Sequence, residues 1–198
     1  MYYKIYYLLI IVILLNCAFF LRTHPEPTPQ EKALDLIWHI STPEQRKTLK
    51  TLEGNVEIME FMYDFWKQLD PTPETPENEF RDEYLKRYDY VQKNYPNRWG
   101  RGRSDKRRVY LLYGPPDDIL YYPIYDSTLS AFTIVRSLEI WIYNRPSTAI
   151  ETPNMFSKIF PYHAKFVFGD LTGDGLEEQI YSTVEGEMID PRVYRDFY

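Results

Sequence analysis

The hydrophobic period changes once along this chain, and that change bounds the fold more tightly than any other feature of the sequence. Upstream of a basic stretch at 96–106, apolar side chains recur three and four residues apart, as on one face of a helix. Downstream they alternate, as on a strand. Helices first and strands afterwards, without strict alternation, predict an α+β fold: amphipathic helices packed on an antiparallel sheet of about four or five strands. A chain of 198 residues supplies one domain with a real core and is short for two. Its 34 aromatic side chains exclude wholesale disorder.

Four helices are predicted. Gln30 to Ile40 sets Ala33, Leu34, Ile37 and Trp38 at helical spacing, and Thr42 then caps a second helix with Pro43 as its first residue. Asn55 to Leu69 gathers Ile58, Phe61, Met62, Phe65, Trp66 and Leu69 on one face, opposite Glu57, Glu60, Asp64 and Lys67. The prolines at 71, 73 and 76 must end that helix. Thr75 and Pro76 read as cap and first residue of a fourth, running to about Tyr95 with Phe80, Tyr84, Tyr88, Val91 and Tyr95 on its apolar face. Asp82–Lys86 and Glu83–Arg87 are acid-before-base pairs four apart, the favourable order. Strands are expected at Arg107 to Tyr113, Ser137 to Tyr143, Ala164 to Phe168 and Gln179 to Glu185, with Gly114-Pro115-Pro116-Asp117 stopping the first. Leu171 to Glu178 reads as the tight link of a hairpin.

The N-terminus addresses the chain to a membrane. Ile5 to Leu21 has only Asn16 clearly polar, with Lys4 and Arg22 on its flanks. As a helix it is about 25 Å long, against about 30 Å for a bilayer core. Residues 1–22 therefore read as a signal or membrane-anchor segment, with a retained anchor the leading form. Leu14-Leu15-Asn16-Cys17 resembles a bacterial lipobox, which makes Cys17 a candidate lipidation site. Asn16-Cys17-Ala18 also offers a weak cleavage site. Residues 23–29 contain three prolines and form a stiff spacer, leaving 30–198 as the domain. The expected location is membrane-associated and exported, on a periplasmic or outer envelope face.

Three blocks together resemble the GWxTD domain family of exported bacterial proteins, over about residues 34–185. They are Phe65-Trp66 with Leu69 to Pro73 and Thr75 to Arg81, then Asp105 to Asp117, then Glu139 to Tyr143 with Phe166-Val167-Phe168 and the Asp170/Gly173/Gly175 turn. The signature itself is degraded: Arg101-Gly102-Arg103-Ser104-Asp105 stands where Gly-Trp-x-Thr-Asp is expected, keeping only the final Asp and a conservative Ser. The resemblance implies a fold and a compartment; it carries no catalytic residue.

Two constellations could bind a ligand. Arg98, Arg101, Arg103, Lys106, Arg107 and Arg108, with Gly100 and Gly102 interleaved, form a basic run. Without its first 22 residues the chain has 21 basic and 29 acidic side chains, a charge of −8, so this run stands out. Arginine forks match phosphate and carboxylate oxygens, making the run a candidate anion or partner site. The plainer reading is a loop whose cations pair with the chain's own acids. Asp170-x-Thr172-x-Asp174-Gly175-x-x-Glu178 has oxygen ligands spaced as in a calcium loop, yet Tyr181 stands where a closing carboxylate belongs. Its plainer reading is a hairpin turn. An acidic body is a poor nonspecific binder of nucleic acid, so none is expected as a partner.

No HExxH, GxSxG or phosphate-cradling glycine loop occurs. No catalytic residue is assigned and no cofactor is expected, calcium being the alternative. The leading expectation is a non-enzymatic interaction module with a protein partner in a cell-envelope assembly, held to the membrane through residues 5–21. The alternatives are an envelope hydrolase acting on an anionic substrate, or a calcium-binding module.

Overall fold

The computed structural model of the chain describes residues 26–95, 104–123, 137–144, 163–170, 177–184 and 186–187. Helices α1 (Pro29–Ile37) and α2 (Pro43–Thr51) begin alike. Thr28 and Thr42 are N-caps in extended backbone, each is followed by proline, and Glu31 and Gln45 complete the capping boxes. Thr42 caps α2 as its sequence predicts. α1 ends earlier than expected, so Trp38 is its C-cap, with the cations of Arg46 and Lys50 over its ring at 4.8 and 5.7 Å.

Helix α3 (Asn55–Gln68) buries Ile58, Phe65 and Trp66, and packs Phe61, Met62 and Leu69 on the same core, the face its spacing predicts. Helix α4 (Glu79–Asn94) corrects one expectation: Thr75 does not cap it. Thr75 Oγ1 instead donates to the Thr72 carbonyl at 3.0 Å within the proline-rich turn. The N-cap is the buried Asn78. Its Oδ1 accepts from Arg81 N at 2.8 Å, and its Nδ2 donates to the Trp66 carbonyl at 2.8 Å. The amide carries separate donor and acceptor atoms, so one side chain closes the start of α4 and the end of α3 together.

The second correction is larger. Asp105–Tyr113, predicted as a strand from Arg107 onward, is helix α5. A five-residue apolar run, Val109 to Tyr113, fits either period, and the cations before it mislead because they are not solvent-facing. Lys106, Arg107, Val109, Tyr110, Leu111 and Tyr113 are all buried, so α5 is enclosed on most sides. It stops at Gly114, whose φ of +78° favours glycine and where an added Cβ would lie 3.1 Å from Arg87 Cζ. Pro115 and Pro116 prevent any continuation.

The sheet has four strands in the order β1 (Asp118–Pro123), β2 (Ser137–Tyr143), β3 (Ala164–Asp170) and β4 (Glu177–Ser182), every neighbour antiparallel. The α+β class and the antiparallel sheet thus match expectation, and β2 has its predicted bounds. The first strand lies just past the predicted one, and β4 begins earlier than Gln179. Residues 171–176 of the expected link lie outside the described residues.

Trp141, Tyr143, Ala164, Phe166 and Phe168 form the inner face and share one core with the helices. Tyr95 and Tyr110 meet Trp141 at 5.6 and 6.2 Å, and Tyr113 meets Phe166 at 5.1 Å. Trp66 contacts Phe80 and Tyr84 of α4. The outer face carries a cross-strand row, Leu120–Ile140–Val167–Tyr181, in direct register. Among the described residues no helix is long and apolar enough to cross a membrane, and segment 5–21 lies outside them.

Candidate functional site

Of the basic run, Arg98, Arg101 and Arg103 lie outside the described residues. The other three cations occupy the first turns of α5. Successive helix residues point about 100° apart, so three consecutive cations reach three different neighbours. Lys106 Nζ is 2.8 Å from Glu139 Oε2 on β2, pairs also with Glu177 on β4, and lies over the Phe168 ring. Arg107, wholly buried, pairs through Nη2 with Asp35 of α1 at 2.8 Å and sits 5.0 Å from the Tyr88 ring centroid. Arg108 donates to Glu187, and to Gln179 Oε1 at 2.8 Å.

The acids are committed in turn. Asp105 Oδ2 accepts from the Gln179 backbone N–H at 2.9 Å, and Glu187 Oε1 accepts from the Tyr113 hydroxyl at 2.6 Å. Burial, then the bond to Glu187, pushes the Tyr113 hydroxyl's pKa up. Burial and the bond that Tyr88 donates to Asp35 push Tyr88 up to about 12. Lys106, Arg107 and Arg108 are therefore paired with carboxylates of the same domain. They bind α5 to the sheet and to α1, the plainer reading for these three cations. Arg107 Nε and Nη1 have no hydrogen-bond partner among the described residues, and the Tyr88 face partly compensates.

Arg87, for which the sequence predicts only a pair with Glu83, has a second role in this network. It is buried, donates to Glu83 Oε1 at 2.9 Å, and offers Nη1 to the Leu111 and Leu112 carbonyls at the end of α5. A cation at a helix C-terminus satisfies orphan carbonyls and opposes the negative end of the dipole. The signal was present: Phe80, Tyr84, Arg87 and Val91 share one helical face.

The candidate metal ligands are not brought together where they are described. Asp170 ends β3 and is buried; Glu178 is exposed on β4; Thr172 and Asp174 lie outside the described residues. The register pairs Asp170 with Glu177 and Gly169 with Glu178. Paired residues share a face and successive ones alternate, so Asp170 and Glu178 project to opposite sides of the sheet. Among the described residues no group of three or more His, Cys, Asp or Glu side chains is placed to hold a metal. Cys17 lies outside the described residues.

Among the described residues, the β1 edge is left uncovered. Ile119, Leu120, Tyr121 and Tyr122 are 51, 40, 59 and 50% exposed. Ile119 and Tyr121 face the side on which Trp141 and Glu139 lie, yet the helical layer does not cover them. No described strand pairs with the outer side of β1. The chain matches no protein-family model, no curated protein and no solved structure.

Proposed function

We propose that the chain is a membrane-tethered, exported interaction module of a cell-envelope assembly, related to GWxTD domains, whose partner adds an extended strand to β1. One observation carries the reading: four consecutive large apolar residues stand exposed on an edge strand. Soluble domains guard such edges with lysine, bulges or covering elements. Among the described residues β1 has Asp118 at its start and Pro123 at its end, and the register irregularity lies between β3 and β4. Strand addition satisfies the open backbone through main-chain hydrogen bonds, and alternate side chains supply selectivity.

The test is a photo-crosslinking residue in place of Tyr121, in the full chain in a bacterial envelope, beside the same residue in place of the exposed Glu44. One discrete adduct from position 121, absent from 44 and lost with Leu120→Lys, is expected. Equal labelling at both positions, or an adduct indifferent to Leu120→Lys, would refute the edge as the docking site. Intact mass and carbonate extraction, beside Cys17→Ala, test the tether. Release of the wild-type chain into the soluble fraction would end that part of the reading.

A further inference from the structure

The outward side of α3 carries a second uncovered apolar feature, independent of β1. Val56, Met59 and Tyr63 are 67, 71 and 68% exposed. At three- and four-residue spacing they form one stripe about 10 Å long, at 1.5 Å per residue. Ile58 and Phe65 occupy the opposite, buried side of the same helix. A shallow open groove runs along the stripe, lined by Val56, Met59, Tyr63 and two acids, Glu60 and Asp64. Glu57 extends that acidic ridge by a turn.

These acids differ from those beside α5. Asp35, Glu139, Glu177 and Glu187 each hold a cation of the domain. Glu57, Glu60 and Asp64 form no ion pair among the described residues. Three apolar side chains beside a ridge of three carboxylates, ended by the single cation of Lys67, call for an occupant with the complementary pattern. A helix lays its own apolar stripe along such a face at matching spacing. An anionic bilayer has the wrong charge for the ridge.

We infer that the outer face of α3 is a docking surface for a cationic amphipathic helix of a partner protein. Val56, Met59 and Tyr63 take the partner's apolar side chains, and Glu57, Glu60 and Asp64 take its lysines or arginines. Opposite charge sets the orientation of the incoming helix and speeds encounter.

The experiment uses the full chain in detergent micelles and a synthetic Leu/Lys amphipathic peptide of about four turns. A Leu/Glu peptide with the same apolar face and a scrambled Leu/Lys peptide serve as controls. Saturable binding of the Leu/Lys helix alone is expected, weakening as salt rises from about 50 to 300 mM. Met59→Gln and Tyr63→Gln should each weaken it about tenfold, as loss of an apolar anchor does. Glu60→Lys with Asp64→Lys should abolish it together with its salt dependence. Leu120→Lys, on the β1 edge, should leave it unchanged. Unaltered melting temperatures would exclude unfolding as the cause. Equal binding of the Leu/Glu or scrambled peptide, or affinity indifferent to these variants, overturns the inference. So does a dimer that Met59→Gln dissociates, which would make a second copy the occupant. Attachment of the chain to anionic vesicles that Met59→Gln releases would likewise overturn it, by making a lipid surface the occupant.

Discussion

The two edges of the sheet are built on opposite plans. β4 is stitched to the helical layer: Glu177 holds Lys106, Gln179 holds Arg108 together with Glu187 beyond the strand, and the Gln179 backbone N–H donates to Asp105 in the first turn of α5. β1 presents four large apolar residues to solvent, and no described side chain of the helices bonds to them. Four strands of one sheet thus end in a closed edge fastened by charge and an open edge with little to discourage pairing. Stability and recognition are therefore expected to divide between the edges, so that substitutions at β4 unfold the domain and substitutions at β1 alter only what it binds.

The closed edge should break most severely at Lys106. Lys106→Met keeps much of the side-chain volume but leaves Glu139 and Glu177, 18 and 20% exposed, facing each other without a cation. Removing one partner of a buried pair costs about 3–5 kcal/mol. Urea unfolding should show that loss, and adding Glu139→Gln should restore part of it by removing the repulsion. If Lys106→Met costs under about 1 kcal/mol, the pairs do not fasten the edge.

Next is Gly114, the joint between the helix that closes one edge and the strand that forms the other. Its carbonyl accepts from the Tyr143 hydroxyl at 3.1 Å, which pins the turn to β2. Gly114→Ala must hold φ at +78° and crowd the Arg87 guanidinium, for a cost of about 2 kcal/mol. A thermal melt reads this directly, and an unchanged midpoint would mean the turn relaxes without resistance.

Tyr113 gives a smaller effect with a pH signature. Tyr113→Phe removes the bond to Glu187 and keeps the ring packing, costing about 1–2 kcal/mol at neutral pH. The folded pKa of Tyr113 is raised, so its contribution is complete below the unfolded tyrosine value near 10. Above that, the unfolded chain ionises first, and stability falls as pH climbs through the folded value. Tyr88, at about 12 when folded, has the same sign. Tyrosinate absorbance should therefore rise together with unfolding, and Tyr113→Phe should flatten the alkaline limb. Ionisation well before unfolding would mean that these hydroxyls are not sealed.

Much of the fold was legible in the residues, and the rest was not for identifiable reasons. Thr42-Pro43, the face of α3 and the bounds of β2 follow from local chemistry and spacing. The α5 segment was misread because Lys106, Arg107 and Arg108 look solvent-facing until their acids are known. Those acids lie at 35, 139, 177 and 187, and no local rule selects them from 29. β1 is not predicted, because Ile119 to Tyr122 is a short apolar run without alternation, soon after a glycine–proline stop. Asn78 displaced Thr75 as a cap for a tertiary reason, the Trp66 carbonyl. The basic run was visible as an anomaly, whereas the internal pairing of Lys106, Arg107 and Arg108 depends on partners distant in sequence.

The smallest stability effect is expected at the open edge, and there the comparison is sharpest. Leu120 is 40% exposed, its neighbour across the ladder is Ile140, and it belongs to the outer-face row rather than the core. Leu120→Lys forfeits some packing on Ile140 but can lift its ammonium into water while its methylene stem covers the same surface. Exposed substitutions of this kind stay within about 0.5 kcal/mol, so the urea midpoint should scarcely move. A lysine on an edge strand nonetheless opposes pairing, because an incoming strand would have to desolvate it. Unchanged stability with loss of the position-121 adduct would separate recognition from folding at this edge. A destabilisation of several kcal/mol would instead place Leu120 in the core and make the β1 edge another fastened one.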